Sequence, residues 1–142
     1  MTELERRLAR VRREMDEAAR RAGRSADAVT LVAAVKTQSN DTVRAAVAAG
    51  IADCGENRVQ ELTAHLAAGA FADARLHFIG HLQTNKVKEV VGRAALIHSV
   101  SSERLLRAIE SRAAALGIVQ EVLLEVNLAG EASKSGFAPE EA

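Results

Sequence analysis

The feature that most restricts the fold is a repeating rhythm: an apolar run, a polar turn, a helix-forming stretch, then a glycine. Glycines close the helical stretches at Gly50, Gly69, Gly92 and Gly117, where a left-handed helix end favours a residue without a Cβ. The pattern predicts strands over residues 29–35, 51–54, 76–79, 95–100 and 119–126. Helices are predicted between them, over 41–49, 57–67, 85–91 and 102–116. A first helix precedes them all. It opens on the capping box Thr2-Glu3-Leu4-Glu5, carries an apolar stripe of Leu4, Leu8, Val11, Met15 and Ala18, and ends near Ala22 before Gly23. Strand following helix throughout implies parallel strands joined by right-handed crossovers.

Two architectures satisfy such a rhythm, an open doubly wound sheet and a closed (β/α) barrel. The first normally carries a glycine-rich turn after its first strand. Here that strand ends in Val35-Lys36-Thr37-Gln38, without GxGxxG or a P-loop. The expected fold is therefore α/β: a parallel (β/α) barrel of TIM type with an N-terminal helix. It is incomplete, with about five of the eight strands a barrel needs. The final residues, Phe137-Ala138-Pro139-Glu140-Glu141-Ala142, read as a helix start, with Pro139 at the first helical position. The expectation is one barrel domain over 1–142, truncated at its C-terminus.

Composition narrows the function. Lys plus Arg number 19 and Asp plus Glu number 19, so the basic excess of a nucleic-acid binder is absent. Trp and Tyr are missing, which removes the usual platforms for stacking bases. Cys54 is the single cysteine, so there is no disulfide framework and no CxxC; a reducing, cytoplasmic setting is the simplest fit. No run approaches the ~20 apolar residues of a membrane span.

Lys36 stands at the predicted C-terminal mouth of the first strand, where a barrel of this type places its chemistry. A primary amine in low-polarity surroundings favours the neutral form that Schiff-base formation requires. A lysine that only marks a strand end and reaches into water is the plain alternative. The other polar clusters also fall at strand ends. They are Gly55-Glu56-Asn57-Arg58-Val59-Gln60-Glu61, His77 through Lys86, His98-Ser99-Val100, and Glu125-Val126-Asn127 through Gly136. Taken singly, each has a structural explanation. Asn57 reads as an N-cap, as do Thr84 and Asn85; Glu56 and Glu61 read as helix-start and surface charges. His77 and His81 flank a strand end and lack the HExxH geometry of a zinc helix, so no metal is expected. What those explanations leave open is why every cluster falls on one end of the sheet.

Together these segments resemble the pyridoxal phosphate homeostasis protein family, whose members resemble the N-terminal barrel of alanine racemase. The resemblance rests on Val35-Lys36-Thr37, Gly55 through Glu61, the ten-residue run from His77 to Lys86, His98-Ser99-Val100, and Val126-Asn127 with residues 131–137. It covers essentially the whole chain in order. It implies a binder of pyridoxal 5′-phosphate (PLP) with a Schiff base to Lys36, and Asn57 near the cofactor. His81 and Asn85 enter as members of the third-strand motif. It further implies a carrier or regulator of intracellular PLP without established turnover. Two positions depart from the family pattern: Val35 replaces a Ser or Thr, and Ser39-Asn40 replace a nearby proline. The family's phosphate grip, late in the chain, has no counterpart in these 142 residues. Weak cofactor retention and self-association through open sheet edges are therefore expected. Two other readings differ in class. A racemase- or decarboxylase-like PLP enzyme would need a second acid/base, often Tyr or Cys. A fragment unable to close its core would have no binding function.

Overall fold

The computed structural model describes residues Met1–Ala142. Helix α1 (Glu3–Arg21) opens on the expected capping box, in which Thr2 Oγ1 accepts from the Glu5 N–H and Glu5 accepts from the Thr2 N–H. Five strands and four further helices then alternate: β1 (Ala33–Ala34), α2 (Asn40–Ala48), β2 (Asp53–Glu56), α3 (Val59–Ala67), β3 (Arg75–Phe78), α4 (Val87–Val90), β4 (Leu96–Val100), α5 (Glu103–Leu116) and β5 (Val122–Leu124). The strands form one sheet in the order β1-β2-β3-β4-β5, every pair parallel. Sequential order without a reversal is how a barrel is laid down; a doubly wound sheet turns back at a switch point. The chain is a parallel α/β sheet of partial-barrel type.

The central elements lie within two residues of their predicted ends, and the edges do not. The predicted strand 29–35 shrinks to Ala33–Ala34, and 119–126 shrinks to Val122–Leu124. Each edge strand has a ladder partner on one side, and the β4–β5 ladder is further interrupted by a register shift between Ile97 and Val100. The predicted helix 85–91 is a 3-10 turn at Thr84–Lys86 followed by the short α4. The stripe on α1 is also corrected. Leu8 and Ala19 are buried, whereas Ala18 is exposed and Val11 is 42% exposed, so only part of the stripe is covered.

Strand pleating assigns the two faces of the sheet. The Glu56 side chain reaches His65 on α3, so Cys54, two residues earlier, also faces the helices. The register sets Leu76 beside Cys54 and Phe78 beside Glu56. With Leu62, Ile97 and Leu105 these make the buried core between sheet and helices. Truncating Phe78, which is fully buried, to Ala would cost about 3–5 kcal/mol. The opposite face carries Asp53, Gly55, Arg75 and His77.

The last segment returns to the sheet. Phe137 donates its N–H to the Glu125 carbonyl and accepts from the Asn127 N–H, both at 2.8 Å, forming a parallel bridge with Val126 beyond β5. Pro139 begins a 3-10 turn, Pro139–Glu141. No helix is long and apolar enough to cross a membrane.

Candidate functional site

Lys36 occupies the turn directly after β1. The ladder pairs Ala34 with Gly55, and the Val35 N–H continues it to the Gly55 carbonyl at 3.0 Å. Carried on, this register brings Lys36 level with Asn57 at the C-terminal ends of adjacent strands. The sequence reading expected a low-polarity mouth, but the Lys36 side chain is exposed. β1 is an edge strand and no neighbour closes over it on the far side.

The backbone of that turn is unusual. Thr37 has φ 62°, a left-handed conformation that costs a β-branched residue of order 1–3 kcal/mol. The turn is held by α3. The Thr37 N–H donates to Glu61 Oε2 at 2.9 Å, and the Gln38 carbonyl accepts from His65 Nε2 at 2.9 Å. His65 Nδ1 in turn lies 2.5 Å from Glu56 Oε1. Glu56 is therefore not the surface charge expected of it. It is fully buried at the end of β2, its Oε2 has no hydrogen-bond partner, and burial raises its proton affinity. On α2, Ser39 takes the N-cap and accepts from the Thr42 N–H at 3.1 Å, which shows how Ser39-Asn40 start this helix without proline.

Asn57 does not cap α3. Arg58 holds the N-cap position without a side-chain bond, and Asn57 Oδ1 is buried with no partner. Thr84 and Asn85 likewise cap nothing; Gln83 and Lys86 precede their two turns without side-chain cap bonds. Asn57 and His81 line one cleft of about 240 Å³ with Arg58, Gln60, Gln83 and Lys86. The β2–α3 turn and the β3–α4 loop can meet there because Gly80 lacks a side chain: a Cβ would overlap the Asn57 carbonyl. His81 is exposed, and Asn85 lines a different cleft with Lys88, Ser111 and Arg112 against α5. The structure thus brings Lys36, Asn57 and His81 to one end of the sheet and leaves Asn85 on its flank.

His77 and His81 do not act as a pair. His77 is buried within β3, and its Nε2 donates to Asp53 Oδ1 at 2.8 Å. Its Nδ1 is hydrogen-bonded to His98 Nε2 at 2.9 Å. Arg75 completes the chain with two bonds to Asp53, at 2.8 and 3.0 Å. The Arg75 hydrogen bond, with help from His77, holds Asp53 below the usual carboxylate range against the opposing effect of burial. Burial, and then the charge of His77, pushes His98 down. This chain begins at the first residue of β2, the end of the sheet that in a barrel serves stability. Cys54 is fully buried on the helix side, and burial followed by Glu56 and Asp53 pushes its thiol up to about 11.

Sequence reasoning missed the buried parts played by Glu56, His65 and Asp53. One signal was present: His65 falls three residues after Leu62, on the buried face of α3.

Residues 7–142 match the family model of the alanine racemase N-terminal domain. The chain is 43% identical to the pyridoxal phosphate homeostasis protein of Aquifex aeolicus (strain VF5), over 94% of its own length and 59% of the relative's. PipY of Synechococcus elongatus, solved without PLP, superimposes with a TM-score of 0.84 at 32% identity, covering 98% of this chain and 60% of PipY. The PLP-bound form of PipY gives 0.81 at 32% identity, over 97% and 59%. The chain therefore spans about three fifths of the length of the relatives it matches.

Proposed function

This chain belongs to the family of the alanine racemase N-terminal domain, and we propose on that premise that it binds PLP through Lys36. The observation that carries the reading is Lys36 at the mouth of β1, level with Asn57, whose buried Oδ1 has no partner within the protein. A buried polar atom without a partner is costly, and a bound polar group relieves it. Bound PLP would supply an aldehyde, and the Lys36 amine is the group that would hold it. Asn57 and His81, which line a cleft at the same end of the sheet, would bind the rest of PLP, while Asn85 lies apart against α5.

The proposed role is to carry and buffer PLP in the cytoplasm, without turnover of a substrate. The relative from Aquifex aeolicus is named for PLP homeostasis, and PipY has been solved with PLP bound. Within this chain the one thiol, Cys54, is buried on the helix side, which suits a structural cysteine better than a second acid/base.

Borohydride reduction in the presence of PLP, followed by peptide mass mapping, tests the assignment. Label is expected on Lys36 and is expected to vanish in Lys36→Ala. Equal labelling of the variant, or label mainly on Lys86 or Lys134, would sink it.

A further inference from the structure

We propose that Glu56 and His65 form a proton-sharing pair whose task is to position the Lys36 turn; this rests on the reading of Lys36 as the PLP-binding amine. The Gln38 carbonyl can only accept, so His65 Nε2 carries a hydrogen. His65 Nδ1 then faces Glu56 Oε1 at 2.5 Å. Two bare lone pairs cannot meet at that distance, so one proton lies between them. It belongs either to an imidazolium beside a carboxylate or to a carboxylic acid beside a neutral imidazole. Both states carry zero net charge, as a fully buried pair requires.

The surroundings favour keeping that proton. Glu56 is desolvated and its second oxygen has no partner. Of the other titratable groups here, Glu61 on α3 adds a like charge that favours retaining the proton, and Cys54 on β2 is held as the neutral thiol. The Phe71 ring packs edge-on against His65, with centroids 5.7 Å apart, and fixes the imidazole plane. The result is a rigid line from the buried end of β2, through α3, to the carbonyl two residues after Lys36. Its mechanical meaning lies in Thr37. A threonine at φ 62° stays there only while something holds it, and the bonds from Glu61 and His65 do so on either side. Glu56 and His65 are thus positioning residues: neither touches the cofactor, yet both set where the Lys36 amine points.

The test uses the 142-residue chain and two readouts, hydrogen-exchange protection at Thr37 and borohydride-trapped PLP on Lys36. Glu56→Gln replaces the shared proton by an amide hydrogen donated to His65 Nδ1, so protection and labelling should both survive. Glu56→Ala and His65→Leu should each lower both by about tenfold, the worth of one good hydrogen bond. The double variant should be no worse than either single one. Raising the pH should erode Thr37 protection in the unaltered chain and leave Glu56→Gln level. That comparison decides the matter even if the alanine variant fails to fold. Equal protection in all variants, or a Glu56→Gln chain as damaged as Glu56→Ala, would overturn the proposal. If Thr37 protection follows the expected pattern while Lys36 takes no label, the positioning pair stands and the PLP reading fails.

Discussion

Gly80 lies against Asn57 so closely that a Cβ on Gly80 would overlap the Asn57 carbonyl. Gly80 follows β3 and Asn57 follows β2, so this contact locks two adjacent strand ends together. The Ile79 N–H bond to the Glu56 carbonyl, at 2.9 Å, runs alongside it.

Gly80→Ala must therefore push the β2–α3 turn outward. The expected loss is about 1–3 kcal/mol, the usual range for overpacking. Borohydride-trapped label on Lys36 should fall with it, because Asn57 moves. Urea unfolding gives the first quantity and peptide mapping the second. An unchanged midpoint would mean that the turn yields freely.

Asp53 predicts the acid limb of stability. Its folded pKa is depressed below the unfolded value, chiefly by the Arg75 hydrogen bond, so the folded state binds fewer protons. That stability is present above the unfolded carboxylate pKa, about 3.9, and is lost as pH falls through the folded value. Asp53→Asn should lower stability at neutral pH by about 1–3 kcal/mol and flatten the decline below about pH 4. Urea midpoints from pH 2 to 7 would measure both. Parallel curves for the two proteins would count against the ion pair.

Glu56 has the opposite sign. Burial raises its folded pKa, so its contribution is greatest below the unfolded value and declines as pH rises through the folded one. Glu56→Gln removes that titration. The variant should hold its melting temperature better than the unaltered chain as pH is raised above the unfolded carboxylate value, about 4.3. A steeper decline in Glu56→Gln would contradict the assigned direction.

Cys54 should be slow to react. Its thiol is fully buried and pushed up to about 11, and only the thiolate attacks alkylating reagents. In native buffer at pH 7 a thiol reagent should label it at least tenfold more slowly than in urea, since reaction waits on opening of the sheet. Equal rates in the two solvents would place Cys54 at the surface.

Self-association should occur at micromolar concentration. Val119 and Leu128 are 94% and 82% exposed, and Leu123 and Leu124 on β5 are nearly half exposed. Phe137 pairs beside Val126 only, so most of the β5 edge keeps unpaired backbone groups. Sedimentation velocity should show species larger than 15.1 kDa. Leu124→Lys should shift them toward the monomer. A monomer at every concentration would show that the edge is closed by some other contact.

Much of the architecture was legible because it is written in local periods. Apolar runs, helix spacing and terminal glycines are properties of a few consecutive residues, and Gly50, Gly69, Gly92 and Gly117 all take the positive φ expected of them. The edge strands were overread because residues 29–32 are as apolar as any core strand, while strand pairing depends on neighbours the run itself does not encode.

The site divides the same way. By itself the sequence determined the order of elements, their parallel direction, and that Lys36 and Asn57 stand at strand ends. Each of these follows from chain order and side-chain period. Only the tertiary structure decided that Glu56 is buried rather than solvated, that His65 reaches the Gln38 carbonyl across 27 residues of sequence, and that His77 serves Asp53 and His98 instead of pairing with His81. The physical reason is register. A one-residue slip of β2 against β3 would turn Glu56 to the other face of the sheet, and no local pattern forbids that slip; the packing of Cys54, Leu76 and Phe78 against the helices does.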